Sequence, residues 1–203
     1  MKYIDFQNKF RDYLLINLAD IRGIYPNFDL RRLYEWQKKG YIKKVINNFY
    51  VFSDKEFNEA DLNYAANKLY EPSYLSMEYA LSYYSLIPET VFWRTSVSSR
   101  KTKKISGFLG NFSYQKIKSD LLFGYKLVRI NKTTFKIAEP EKALLDFLYL
   151  RNDIKTADDF YELRLNREIY KEIINQKKLQ SYLKMFNSKK LFKKIIILNN
   201  NLK

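Results

Sequence analysis

The sequence predicts an α+β chain, and three observations carry that expectation. Apolar residues recur at helical spacing over the first forty positions and again from about residue 140 onward. Between residues 91 and 137 the period falls to two, as in strands with one buried face. Gly, Pro and Asn sit at the junctions between these stretches.

The elements follow in order. From residue 4 to residue 16, Ile4, Phe6, Phe10, Tyr13, Leu14 and Leu15 lie near helical spacing. Asn17 offers a side-chain oxygen to the orphan N–H groups of a second short helix reaching Ile24. Gly23, Pro26 and Asn27 then punctuate the chain. Asn27 or Asp29 caps a third helix that runs to Lys39 and stops at Gly40. Leu30, Leu33 and Trp36 or Gln37 form its inner stripe, which leaves Arg31, Arg32, Glu35, Lys38 and Lys39 on the other side. Two β-rich runs, residues 41–46 and 49–52, flank Asn47-Asn48, a pair that tolerates positive φ, and so predict a tight hairpin.

Three short helices followed by a hairpin is the order of a winged helix-turn-helix, here residues 1–55. Its third helix is slim enough for a major groove of double-stranded DNA. Arg31, Arg32, Glu35 and Lys38 would then face base edges or adjacent phosphates, while Lys39, Lys43, Lys44 and Asn48 would touch the backbone. The plainer alternative is a small helical unit whose cations are only solvated.

Residues 56–203 form the second expected domain, helices around an antiparallel sheet. Asn58 to Leu69 predicts a helix with Leu62, Ala65, Ala66 and Leu69 inward, and Ser73 to Leu86 predicts a second that ends before Pro88. Residues 91–97, 103–107, 111–117, 124–130 and 133–137 predict strands, with Gly107, Gly110, Gly124 and Asn131-Lys132 at turns. Pro140 opens a helix to Leu150, Thr156 caps one from Ala157 to Leu163, and Arg167 to Phe186 reads as one helix before a basic tail helix.

Composition narrows the chemistry. The chain has 203 residues, 46% of them hydrophobic, enough for a core. It has neither Cys nor His, which removes disulfides, thiolate and imidazole catalysis, and histidine- or cysteine-ligated metals. The net charge of +15 points to a polyanionic partner. AT-rich coding inflates Lys without function, but the charge alternates in blocks: +5, −5, +10, −3 and +8 over residues 1–55, 56–89, 90–136, 137–164 and 165–203. No apolar leader or long apolar run is present, so a cytoplasmic protein without membrane contact is expected.

In the sheet segment Arg94, Arg100, Lys101, Lys103 and Lys104 form the candidate second surface, with Lys116, Lys118, Lys126 and Arg129 farther on. Trp93, Phe112, Tyr114 and Tyr125 are interleaved and could stack bases. An acidic protein partner, or simple solubility of the strands, explains the same pattern. Glu139, Glu141 and Asp146 could in principle hold Mg²⁺ in a nucleic-acid-processing enzyme. Glu141 and Asp146 are five apart, off the spacing that shares a helix face, and a helix-capping role for the carboxylates is favoured. No phosphate-binding or nucleophile-elbow motif occurs. No catalytic residue, cofactor or metal is expected.

Several strings resemble those of the AbiEi family of antitoxins: Ser73 to Glu78, Ala80 to Glu89, Thr95-Ser96-Val97, Gly110 to Tyr114, Phe123-Gly124-Tyr125 and, above all, Ile137-Ala138-Glu139-Pro140-Glu141-Lys142-Ala143-Leu144-Leu145-Asp146. Ser85 stands where that pattern has Gly, and Asn47-Asn48 replaces a Gly-containing turn. The resemblance implies the antitoxin of a type IV toxin–antitoxin (abortive infection) system. It implies a winged helix that binds inverted repeats at its own promoter as a repressor. It also implies a C-terminal domain that counters a nucleotidyltransferase-like toxin without needing a stable complex. A solitary transcriptional regulator without a toxin is the alternative.

Overall fold

The computed structural model describes residues 1–202. The first unit comprises α1 (Tyr3–Phe10), β1 (Ile16–Asn17), α2 (Leu18–Ile24), α3 (Arg31–Lys38), β2 (Ile42–Ile46) and β3 (Phe49–Phe52). Asn17 caps α2 by accepting the Ala19 N–H at 2.9 Å, and Gly40, at φ +72°, ends the turn after α3. α1 is shorter than the expected helix to residue 16. Ile16 instead pairs with Tyr50 as a strand, so the three strands run antiparallel in the order β1-β3-β2. A two-residue strand has no period of its own to betray it.

The remaining elements are α4 (Glu59–Leu69), β4 (Ser73–Leu75), α5 (Met77–Tyr83), β5 (Trp93–Ser98), β6 (Lys103–Gly107), β7 (Gly110–Lys116), β8 (Tyr125–Ile130), β9 (Thr133–Ala138), α6 (Pro140–Leu150), α7 (Ala157–Glu162), α8 (Arg167–Ile173), α9 (Gln176–Phe186) and α10 (Lys189–Asn201). The chain is α+β, but its large sheet is mixed and not antiparallel: the order is β6-β7-β5-β4-β9-β8, with β5/β7 and β4/β9 parallel. The helix expected from Ser73 to Leu86 splits for the same reason. Residues 73–75 enter the sheet as the strand joining its two halves, and ladder bonds to β5 outweigh local helical spacing. The helix expected from Arg167 to Phe186 also breaks, because buried Ile174 leaves the helical path and Asn175 caps α9 by accepting the Lys178 N–H at 3.0 Å.

Two hydrophobic cores result. The smaller holds Phe6, Phe10, Ile21, Leu33, Trp36 and Ile42; the larger lies between the mixed sheet and its helices. β3 serves both, since Tyr50 and Phe52 enter the small core while Val51 enters the large one and Phe49 packs against it.

Beneath the large sheet, Lys142 and Asp146 form an ion pair one turn apart on α6, both side chains fully buried. Tyr74 and Ser76 donate to the Asp146 carboxylate at 3.1 and 2.8 Å, and Lys142 donates to the Tyr74 hydroxyl at 2.8 Å. Burial pushes the Asp146 carboxyl up and the Lys142 ammonium down, and each partner opposes the other's shift. Removing one partner strands a buried charge. Asp146→Ala should therefore cost about 3–5 kcal/mol in urea denaturation, whereas Lys142→Met/Asp146→Leu should recover most of that loss. Equal losses for the single and double variants would contradict the pairing.

Candidate nucleic-acid interface

The rotation of α3 is set by its apolar residues. Leu33 and Trp36 are buried, and the Trp36 ring lies 4.7 Å from Phe6 and 6.0 Å from Phe28. At 3.6 residues per turn this turns Arg31, Tyr34, Glu35 and Lys38 outward along one face, flanked by Arg32 and Lys39. All six are exposed. Tyr34, 70% exposed at the middle of that face, was missed by sequence reasoning, although its spacing from Arg31 and Lys38 marks it.

The two arginines of α3 are already engaged. Arg31 Nε donates to both oxygens of Asp29 at 3.1 Å, and Arg32 reaches Glu35 at 3.4 Å. The guanidinium hydrogen bond holds the Asp29 carboxyl below its usual range and raises Arg31 in turn. Asp29, and not Asn27, receives the Arg31 N–H at the helix start.

Lys43 and Lys44 are both exposed but leave the ribbon on opposite faces. Lys43 lies opposite Val51, on the face toward the large core, with its ammonium 5.6 Å from the centre of the Phe108 ring at the β6–β7 tip. Lys44 lies opposite Tyr50, on the helix side. The register shift between Lys44 and Ile46 bends the ribbon before the turn, where Asn48 adopts φ +69°. The two lysines thus do not act as one pair.

The second expected surface needs correction at Arg94. It is 8% exposed, hydrogen-bonded to Asn63 at 3.1 Å and paired with Glu59 at 2.6 Å, so it is a structural cation and not a surface one. Arg100, Lys101, Lys103 and Lys104 are exposed. Lys103 and Lys104 lie on the edge strand β6, where charge blunts strand pairing with other chains. Arg100 and Lys103 cover the Tyr70 ring and Lys104 covers Trp93. Phe112 and Tyr114 are core residues and Tyr125 stacks on Tyr74, so these aromatics do not form a base-stacking platform.

Of the three carboxylates at and beyond the start of α6, Glu139 and Glu141 lie 2.7 and 3.9 Å from the ammonium of Lys178, while Asp146 stands apart. Asp146 serves Lys142, Glu139 binds Lys178 and Tyr182, and Glu141 accepts the Asn175 N–H at 2.9 Å. Glu139 is the residue before the helix, yet its side chain makes no capping bond there. Among the described residues no acidic cluster fit for a metal ion occurs, and no helix is long and apolar enough to cross a membrane.

Two substitutions separate structure from surface. Arg94→Ala should lower stability by about 1.5–3 kcal/mol, the worth of charged hydrogen bonds, while Lys104→Ala should leave the melting midpoint nearly unchanged. Asn48→Val should cost about 1–2 kcal/mol for a branched residue at positive φ, with Asn48→Gly close to neutral in the same thermal melts. Neither a family model nor a curated protein matches the chain.

Proposed function

We propose that the chain is a winged-helix DNA-binding protein that represses its own operon and acts as the antitoxin of a type IV toxin–antitoxin pair. The observation that carries the DNA half is the outward face of α3, with Arg31, Glu35 and Lys38 exposed over a packed aromatic core and a basic ribbon following directly. The order α1-β1-α2-α3-β2-β3, with β1 beside β3, supports the same reading. Arg31 suits the O6 and N7 acceptors of guanine, and Glu35 suits the amino group of cytosine. Lys38, Lys39, Lys44 and Asn48 supply phosphate contacts that set register. On meeting DNA, Arg31 and Arg32 exchange a neighbouring carboxylate for phosphate or base, which favours sequences that satisfy Asp29 and Glu35 as well.

The antitoxin half rests on the resemblance of residues 73–89 and 137–146 to AbiEi strings. Those two stretches are brought together in the fold, since Tyr74 and Ser76 of one bind Lys142 and Asp146 of the other. The partner on this reading is a nucleotidyltransferase-like toxin, countered without a lasting complex.

Gel shifts on the upstream intergenic duplex test the first half. Wild type should bind with affinity falling roughly 10³-fold or more over a fourfold rise in salt, as about six phosphate contacts require. Arg31→Ala/Arg32→Ala should bind far more weakly and with a shallower salt slope; equal binding by both proteins moves recognition elsewhere. Co-expression with a neighbouring nucleotidyltransferase gene tests the second half. DNA binding without rescue of growth leaves a solitary regulator.

A further inference from the structure

An acid-rimmed apolar cleft of about 610 Å³ opens between the segment leading into β5, the end of α6, and α7. Trp93, Ile154 and Leu163 line it, and Phe92 stands at its lip with 82% of its surface exposed. Five carboxylates, Glu78, Glu89, Asp153, Asp159 and Glu162, border it against one lining cation, Arg151. Arg151 pairs with Glu78 at 3.0 Å and Asp153 at 2.6 Å, and Arg164 pairs with Glu89. Among the described residues Asp159 and Glu162 have no cationic partner, so the rim is net negative on a chain of net charge +15.

The opposite surface occurs at the α9–α10 corner. Met185, Phe192 and Ile196 are 53, 52 and 46% exposed. Lys189, Phe192, Lys193 and Ile196 share one face of α10 by helical spacing, and Lys184 lies beside them on α9. The stripe of α10 that packs inward is another one, Leu191, Ile195 and Leu198, so this basic apolar ridge faces outward. Cleft and ridge share no residue.

We infer that the cleft of one copy receives the α10 ridge of a second copy, Phe192 and Ile196 entering between Phe92 and Leu163 while lysines meet the acidic rim. Apolar anchors supply the affinity of such a contact, and complementary charge selects and steers it. Ridge and cleft are different patches: two copies docking reciprocally close an isologous two-fold dimer, and one-way docking is heterologous and extends a chain. This self-docking is independent of the DNA reading.

Sedimentation equilibrium of the whole protein over rising concentration provides the test. The mean mass should climb above that of the monomer and fall back on adding salt. Glu162→Lys and Lys193→Glu, both at exposed positions, should each weaken association about tenfold. Mixing the two variants should restore it, because the unaltered ridge of one meets the unaltered cleft of the other. A synthetic peptide of residues 184–198 should also change the emission of Trp93 in the cleft, whereas Trp36, 4% exposed, lies in the small core. A protein that stays monomeric at every concentration overturns the inference, as does association untouched by both reversals. An equal response to a peptide with Phe192 and Ile196 replaced by Ser assigns the cleft to some other cationic partner and likewise overturns it.

Discussion

The structure depends on the two-sidedness of a four-residue strand. Along β3, Tyr50 and Phe52 close the aromatic core beneath α3, while Val51 enters the core beneath the mixed sheet with Phe49 packed against it. Because side chains alternate with a period of two, sliding β3 by a single residue would expose both cores at once. That constraint locks the register of β1 and β2. Through Ile42 and Trp36 it also fixes the angle at which α3 meets solvent. The N-terminal unit is therefore packed onto the rest of the chain and not tethered to it, and the ribbon leans its Lys43 toward Phe108 of the C-terminal hairpin.

Charge is arranged with equal economy. The arginines of the α3 face are held by Asp29 and Glu35, partners whose attraction in water is weak, so an anion can take their place at low cost. Deeper in the molecule the opposite holds. Lys142 and Asp146 are fully buried and satisfied by Tyr74 and Ser76, and Lys194 donates to the carbonyls of Leu148 and Arg151 near the C-terminal end of α6. Near such an end a cation is favoured by the helix dipole. The first set of cations is available for binding, the second belongs to the fold.

How much of this was legible beforehand follows from what sequence signals measure. Caps and turns read well, because Asn17, Thr156, Gly40 and Asn48 act on their own neighbours. The strands from β5 to β9 read well also, as β-rich runs between turn residues; β9 alternates buried with less buried residues, whereas β8 is exposed along nearly its whole length. Strand order and direction did not, because a period says which face is buried and nothing about which strand lies alongside. Residues 73–75 looked helical since only their distant partners in β5 and β9 make them a strand. Arg94 looked like surface because it is a cation in the most basic segment of the chain, while its partners Glu59 and Asn63 lie on α4, distant in sequence. On α3 the basic residues were visible and Tyr34 was not, as attention to charge passes over an exposed aromatic.

The central claim is that duplex DNA is met by the outer face of α3 and the ribbon beside it. Amide chemical shifts of the isotopically labelled protein, followed during titration with its own upstream duplex, test this most directly. The account predicts that the perturbed amides concentrate at residues 31–39 and 43–48 and recede as salt is added. Shifts confined to the β6 edge or to α9 and α10, or none at all, would contradict it.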